Sequence, residues 1–151
     1  MRIAVISDTH DRVPAHLPGL LSGADEIWHL GDVCHQFVLD EIRAIGPRVI
    51  LVRGNCDANF DWPLVRNVER EGVRAHLVHI PPIGPVEGAD LVLHGHTHVP
   101  RDETIGETRF LNPGCISRPN RGAPPSFAWL EIAHGKAPEW TLHPLPRRSL
   151  W

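Results

Sequence analysis

Four fragments of this sequence carry residues able to do chemistry, and they come in a fixed order: Asp8-Thr9-His10, Gly31-Asp32, Gly54-Asn55 and His94-Gly95-His96-Thr97-His98. Any one alone is weak, since a histidine at a strand end is usually an ordinary polar residue and an aspartate after glycine is usually a turn. Together they offer carboxylate, imidazole and amide donors of the kind that hold a pair of divalent transition metals, Mn²⁺, Fe²⁺, Zn²⁺ or Ni²⁺ before Ca²⁺ or Mg²⁺. Residues at i and i+2, as in Asp8/His10 and His96/His98, are expected to project to one side of an extended segment and to share a cation or span two. Gly31, Gly54 and Gly95 permit the tight backbone that turns such donors inward. With 11 histidines against no tyrosine, imidazole is the chain's chemical resource. His16, His134 and His143 stand apart from the fragments and read as surface residues.

The elements that must position these fragments follow from the period of the apolar residues. Residues 2–7 are β-rich and nearly continuously apolar, as a strand buried on both faces is, and residues 25–30 and 48–53 are the next strands. Between those two, Phe37, Leu39, Ile42 and Ile45 form a stripe that predicts a helix over 36–45. Pro14 can open another over 14–22, where Pro18 and Gly19 weaken the interior. This is a βαβαβ half. Beyond Pro63, 64–69 and 73–79 flank Gly72 as a hairpin, 89–93 is a buried strand, and 99–105 and 107–112 lie about Gly106. Strands over 126–132 and 138–143 follow. The expectation is an α/β fold of two packed mixed β-sheets, a sandwich flanked by helices, in a single domain over residues 1–151. Each candidate donor then follows a strand, and in open α/β sheets the carboxyl ends of neighbouring strands share one crevice.

Composition narrows the class of function. The chain has 151 residues, enough to bury roughly two-thirds of its unfolded surface around one core, with 42% hydrophobic and 22% charged residues. No apolar run approaches the ~20 residues of a membrane span, and the stretch ending at Ser7-Asp8 is too short for a secretory h-region. The net charge of -3 gives no general basic field, although every basic residue except Lys136 is arginine; a dedicated nucleic-acid-binding surface is not expected. Trp28, Trp62, Trp129 and Trp140 lack the basic interleaving of a base-stacking platform and read as packing. Cys34, Cys56 and Cys115 form no even framework, which points to a reducing, cytoplasmic setting. Association with a second copy is left open.

Asp8-x-His10, Gly31-Asp32, Gly54-Asn55-Cys56-Asp57, His79 and Gly95-His96-Thr97-His98 resemble the calcineurin-like metallophosphoesterases, and most of all their small bacterial and archaeal phosphodiesterases. Val52-Arg53-Gly54-Asn55-Cys56-Asp57 and Asn112-Pro113-Gly114 look like that group's own variants, and the likeness runs from Met1 to about Ile132. Position by position, the resemblance implies one metal held by Asp8, His10, Asp32 and His98 and a second held by Asp32, Asn55, His79 and His96, with Asp32 bridging. It implies two divalent ions, manganese foremost, and a hydroxide between them that attacks phosphorus. Two dications less two carboxylates and a hydroxide leave about +1 facing a small phosphate ester, and no protein nucleophile is required.

Three departures from the family pattern bear on mechanism. Cys56 stands where many larger members have a histidine thought to protonate the leaving group; the thiol either donates weakly or packs and orients its neighbours. Asp57 is read as anchoring a ligand histidine through its second ring nitrogen, or else as a turn cap. His79 is followed by Ile80 in place of the usual glycine, which makes His76 a competitor; the two face opposite ways on a strand, and His79 lies at its carboxyl end. Only residues 81–88 separate that strand from the next, where relatives insert a helix, so the site is expected to be open. Asp11 replaces a common glycine. His94 lines the strand end, and Arg118 is positioned either to meet a phosphate oxygen or to stand in solvent. The favoured reading is a dinuclear phosphodiesterase. Its alternatives are a phosphomonoesterase and, from another class, a non-catalytic scaffold resembling the retromer subunit of this fold.

Overall fold

A computed structural model of the chain describes residues 1–146, so the end of the expected 1–151 domain lies outside the described residues. The strands are β1 (Arg2–Ile6), β2 (Glu26–His29), β3 (Arg48–Leu51), β4 (Val65–Arg70), β5 (Val73–Val78), β6 (Leu91–Leu93), β7 (Arg101–Ile105), β8 (Thr108–Asn112), β9 (Ser126–Glu131) and β10 (Glu139–Pro144). The helices are α1 (Leu17–Leu20) and α2 (Gln36–Arg43). They build an α/β fold of two five-stranded sheets, ordered β10-β9-β1-β2-β3 and β4-β5-β6-β8-β7. Both are mixed: β1, β2 and β3 run parallel and β9 antiparallel to β1, while β5, β6 and β8 run parallel with antiparallel β4 and β7 at the edges.

Alternation along β1 explains its continuous apolar run. Ile3 and Val5 join Trp28, Leu30, Ile50 and Val52 against Ala75, Leu77, Leu91, Leu93 and Leu111 of the second sheet, forming the inter-sheet core. Ala4 and Ile6 turn the other way, to Leu17 and Leu21 about α1 and to Val38, Leu39 and Ile42 of α2. At ~25 cal/mol per Å² of apolar surface removed from water, such fully enclosed side chains each contribute about 1.5–3 kcal/mol.

Both helices therefore lie against the first sheet, and among the described residues none covers the second. There the connection at 86–89 lies along Asn67–Glu69 and Arg74–His76, and the Arg101 guanidinium rests 4.5 Å above the Phe110 ring. The expected helix over 14–22 shrinks to the four residues of α1, because Pro18 sits in its first turn and Gly19 follows. The β4–β5 hairpin closes through Glu71 (φ 50°) and Gly72 (φ 81°), two left-handed residues matching the strand twist.

Candidate metal centre

The carboxyl ends of β1, β2, β3, β5 and β6 deliver the expected donors to one edge of the sandwich. The loops there are cross-linked by backbone: Asp8 N–H donates to Gly31 O (3.0 Å), His10 N–H to Asp32 O (2.9 Å), Gly95 N–H to His79 O (3.1 Å) and Ile116 N–H to Ser7 O (3.2 Å). Side chains add to this. Asn112 donates to Gly95 O and the Thr97 hydroxyl, both at 3.1 Å, and accepts from Gly114 N–H; Ser117 donates to Asp8 O (2.9 Å).

Asp8, His10, Asp32, His96 and His98 all adopt left-handed backbone, with φ between 52° and 69°. The pairs at i and i+2 therefore do not converge as neighbours on an extended strand, as the spacing suggests; they converge because the chain curls tightly after β1 and β6. A non-glycine residue held this way costs on the order of 1–3 kcal/mol, a load that concentrates at functional sites. The glycines are needed for space as well. A Cβ on Gly54 would lie 2.0 Å from Asp32 Oδ1, and one on Gly95 would lie 2.0 Å from the Ser7 hydroxyl and 2.7 Å from Asp8 Oδ2.

The donors fall into two groups about Asp32. On one side, His98 Nε2 lies 3.1 Å from Asp8 Oδ1 and His10 Nε2 lies 4.0 Å from the same oxygen, the two rings meeting edge to face at 5.4 Å. On the other, Asn55 Oδ1 faces His79 Nε2 (2.9 Å) and His96 Nδ1 (3.0 Å), whose rings are 5.3 Å apart. Asp32 Oδ2 is 3.3 Å from His79 Nε2, and donor atoms of Asp8, Asp32 and His79 all lie within 4.8 Å of one another. His79 donates from Nδ1 to Leu30 O (2.7 Å) and His98 from Nδ1 to Arg118 O, which turns both Nε2 atoms inward.

Electrostatics follow from this crowding. Burial opposes charge on Asp32, but hydrogen bonds from His79 and the Cys56 N–H overcome it and hold the carboxyl well below its ordinary range. The Asp8 hydrogen bond raises His98; in His79 burial is outweighed by Asp32 and Asp8, and its pKa rises too. These carboxylates favour a cation between the imidazoles. The donor chemistry fits divalent metal ions: His10 Nε2 is buried without a hydrogen-bond partner, in a side chain 8% exposed, and it faces a buried carboxylate.

Other residues singled out in the sequence take different places. His76 lies on the outer face of β5, its Nδ1 2.7 Å from Asn67 Oδ1, away from the donors. His94 is buried, donates to Gly95 O, accepts from Arg101 (3.2 Å), and is pushed down to about 4, chiefly by burial. Cys56 has an exposed thiol, raised in pKa chiefly by desolvation; its N–H donates to Asp32 Oδ1 (2.9 Å), and its Sγ accepts from Asn55 Nδ2 (3.6 Å) and lies within 4.8 Å of donor atoms of His10 and Asp32. Arg118 is 65% exposed, with its guanidinium 3.6 Å from Asp11.

Asp57 anchors no histidine, and of its two expected roles it takes that of a turn cap. Its carboxylate accepts from Asp32 N–H (2.9 Å), Cys34 N–H (2.7 Å) and Gly54 N–H (2.7 Å), the groups that a tight double turn leaves without carbonyl partners. Sequence reasoning also missed His29, which is fully buried, accepts from Gly31 N–H (3.1 Å) and meets the Thr9 hydroxyl at 3.0 Å. Nothing in its strand-like surroundings marks it. Asn112 was visible only as part of Asn112-Pro113-Gly114.

Residues 1–135 match the calcineurin-like phosphoesterase superfamily domain, and the chain belongs to that family. It is 31% identical to phosphodiesterase YfcE of Escherichia coli K12, with 87% of this chain and 88% of that protein covered. A probable metallophosphoesterase of Methanothermobacter thermautotrophicus is 33% identical over 87% of this chain and 86% of its own length. The solved structure of Yfce, described as a phosphoesterase from E. coli, superposes with a TM-score of 0.72 over 87% of this chain and 88% of that one. Vps29 of Chaetomium thermophilum shares the fold, with a TM-score of 0.77 at 21% identity over 97% of this chain and all of that one. The protein is a phosphoesterase of a metal-dependent family, and its relatives support phosphodiesterase activity in general. Among the described residues no helix is long and apolar enough to cross a membrane.

Proposed function

We propose that this protein is a dinuclear-metal phosphodiesterase that acts on small phosphate diesters in the cytoplasm, as one domain over residues 1–151. One ion would be held by Asp8, His10, Asp32 and His98 and the other by Asp32, Asn55, His79 and His96. The observation that carries this is the division of the imidazoles into two pairs on either side of Asp32, His10 with His98 and His79 with His96. When bound, two divalent ions, Mn²⁺ foremost with Fe²⁺, Ni²⁺ or Zn²⁺ able to substitute, would acidify a shared water and neutralise charge on the phosphoryl oxygens.

The chain's own groups do the rest. The Cys56 N–H fixes one Asp32 oxygen and leaves the other toward His79. Asn55 turns its carbonyl oxygen to the two imidazoles, and its amide N–H, which donates to Cys56 Sγ at 3.6 Å, would turn from the thiol to a phosphoryl oxygen. Arg118 stands beside His10 at the rim, where its guanidinium can meet another. With His79 and His96 taken up as ligands, Cys56 is left as a weak proton donor beside Asn55, and this favours diesters with good leaving groups over a general phosphatase.

The test is hydrolysis of bis(p-nitrophenyl) phosphate and p-nitrophenyl phosphate with Mn²⁺, Ni²⁺ and Zn²⁺ in turn. Diester turnover should exceed monoester turnover, and Asp32→Ala or Asn55→Ala should lower it at least about 100-fold, the upper end of what loss of a mere supporting partner costs. Full activity in either variant would sink the mechanism.

A further inference from the structure

Two cavities of unequal size open beside the donor cluster. One, about 230 Å³, lies next to His10 and is bounded by Thr9, Arg12, Ser117 and Arg118. The other, about 620 Å³, lies next to His96 and is bounded by His94, Thr97, Arg101, Asn120 and Arg121, among others. The segment 117–121 divides them and is pinned to the donor loops: Ser117 donates to Asp8 O (2.9 Å), Arg118 N–H to Cys115 Sγ (3.0 Å) and Asn120 N–H to His98 O (3.1 Å). It contributes Arg118 to the smaller cavity and Arg121 to the larger.

A phosphodiester places phosphorus between two ester arms. With the phosphoryl group at the donor cluster, the arms reach toward different cavities, and the cavities are not equivalent. The larger presents the Arg121 guanidinium together with the Glu103 carboxylate, which Arg101 holds at 2.9 Å, and beside them the Thr97 hydroxyl and the Asn120 amide, which also bond to Val99 and Thr97. Its only aromatic side chains are the imidazoles of His94, which is 1% exposed, and His96, so it offers no indole, phenol or phenyl face for a nucleobase to stack on. A guanidinium donor and a carboxylate acceptor in a cavity also lined by Pro81, Val99 and Pro100 suit an arm that carries several hydroxyls.

We infer that the substrate is an unsymmetrical phosphodiester whose larger, polyhydroxylated arm lies beside His96 and is recognised by Arg121, with the smaller arm beside His10. This rests on the diesterase reading above and adds the substrate class and a specificity-determining residue. The test compares three p-nitrophenyl diesters that differ in the retained arm: methyl, glyceryl and 5′-thymidyl. The glyceryl ester should exceed the methyl ester in kcat/KM by about tenfold or more, as one hydrogen bond to a charged group allows. Arg121→Gln should erase that advantage while methyl-ester turnover stays within about twofold, as for a surface change away from the chemistry; Arg121→Lys should restore part of it. Equal losses on both esters, or a thymidyl ester preferred over the glyceryl one, would overturn the inference while leaving the diesterase reading intact. No turnover of any of the three with any metal would remove both.

Discussion

Asp57 accepts three backbone N–H groups, from Asp32, Cys34 and Gly54, and so ties the loop after β2 to the loop after β3. Each bond to an ionised acceptor is worth about 1.5–3 kcal/mol, and stranding buried donors costs a similar amount. Asp57→Ala should therefore lower stability by at least about 3 kcal/mol and weaken Mn²⁺ binding, read by urea unfolding and calorimetric titration; unchanged metal affinity would show that Asp32 holds its place unaided. Cys56→Ser keeps the backbone N–H and should keep most of the diester activity in the p-nitrophenyl assay, whereas a collapse in rate would assign the thiol a direct role. At this scale the sequence displays side-chain types well, because metals demand particular donors. It hides Asp57's partners, which are main-chain groups that any residue supplies, and it hides His29, whose hydrogen bonds join residues far apart in the fold.

The loops deliver the donors, but the helices and strands decide where the loops begin. Each expected strand is present with its ends moved by no more than two residues, from 2–7 against Arg2–Ile6 to 138–143 against Glu139–Pro144, because apolar runs record burial directly. α2 is likewise legible in its stripe, and Val38, Leu39 and Ile42 pack under the first sheet. Less legible is that helices cover only one side, which follows from the short, proline-rich link after β5. Leu39 is 1% exposed, and Leu39→Ala should cost about 2–5 kcal/mol in urea unfolding. Its contacts lie on the far side of the first sheet from the inter-sheet core, so kcat per folded molecule should hold. A fall in kcat matching the fall in stability would mean that α2 helps to set the donor geometry.

For the molecule as a whole, buried neutral imidazole should make stability sensitive to acid. Burial pushes His29 down to about 3 from an ordinary 6.5, against the pull of Asp8. The unfolded chain then binds a proton that the folded chain refuses, so the contribution of His29 to stability is complete above about pH 6.5 and is lost as pH falls from 6.5 toward 3. His79 and His98, raised in the fold, act in the opposite sense and are most stabilising below 6.5. His29→Gln can keep both hydrogen bonds without the proton, so its urea midpoint between pH 7 and pH 5 should fall less steeply than the parent's. Parallel slopes would place the acid sensitivity elsewhere.

The curled loops after β1 and β6, tied by bonds to the carbonyls of Gly31 and Asp32 and by bonds from Asn112 and Ser117, bear on how loading with metal relates to folding. Where ligands are assembled only by the ion, as in zinc fingers, removing the ion unfolds the chain. Here the backbone of these loops is held by hydrogen bonds within the protein. A chelator should leave a cooperative unfolding transition, lowered only by the mass-action contribution of binding, about 2.7 kcal/mol for an ion at 100 times its Kd. On the proposed reading an ion would enter a structure already folded, and exchanging one divalent metal for another should alter turnover without altering the fold.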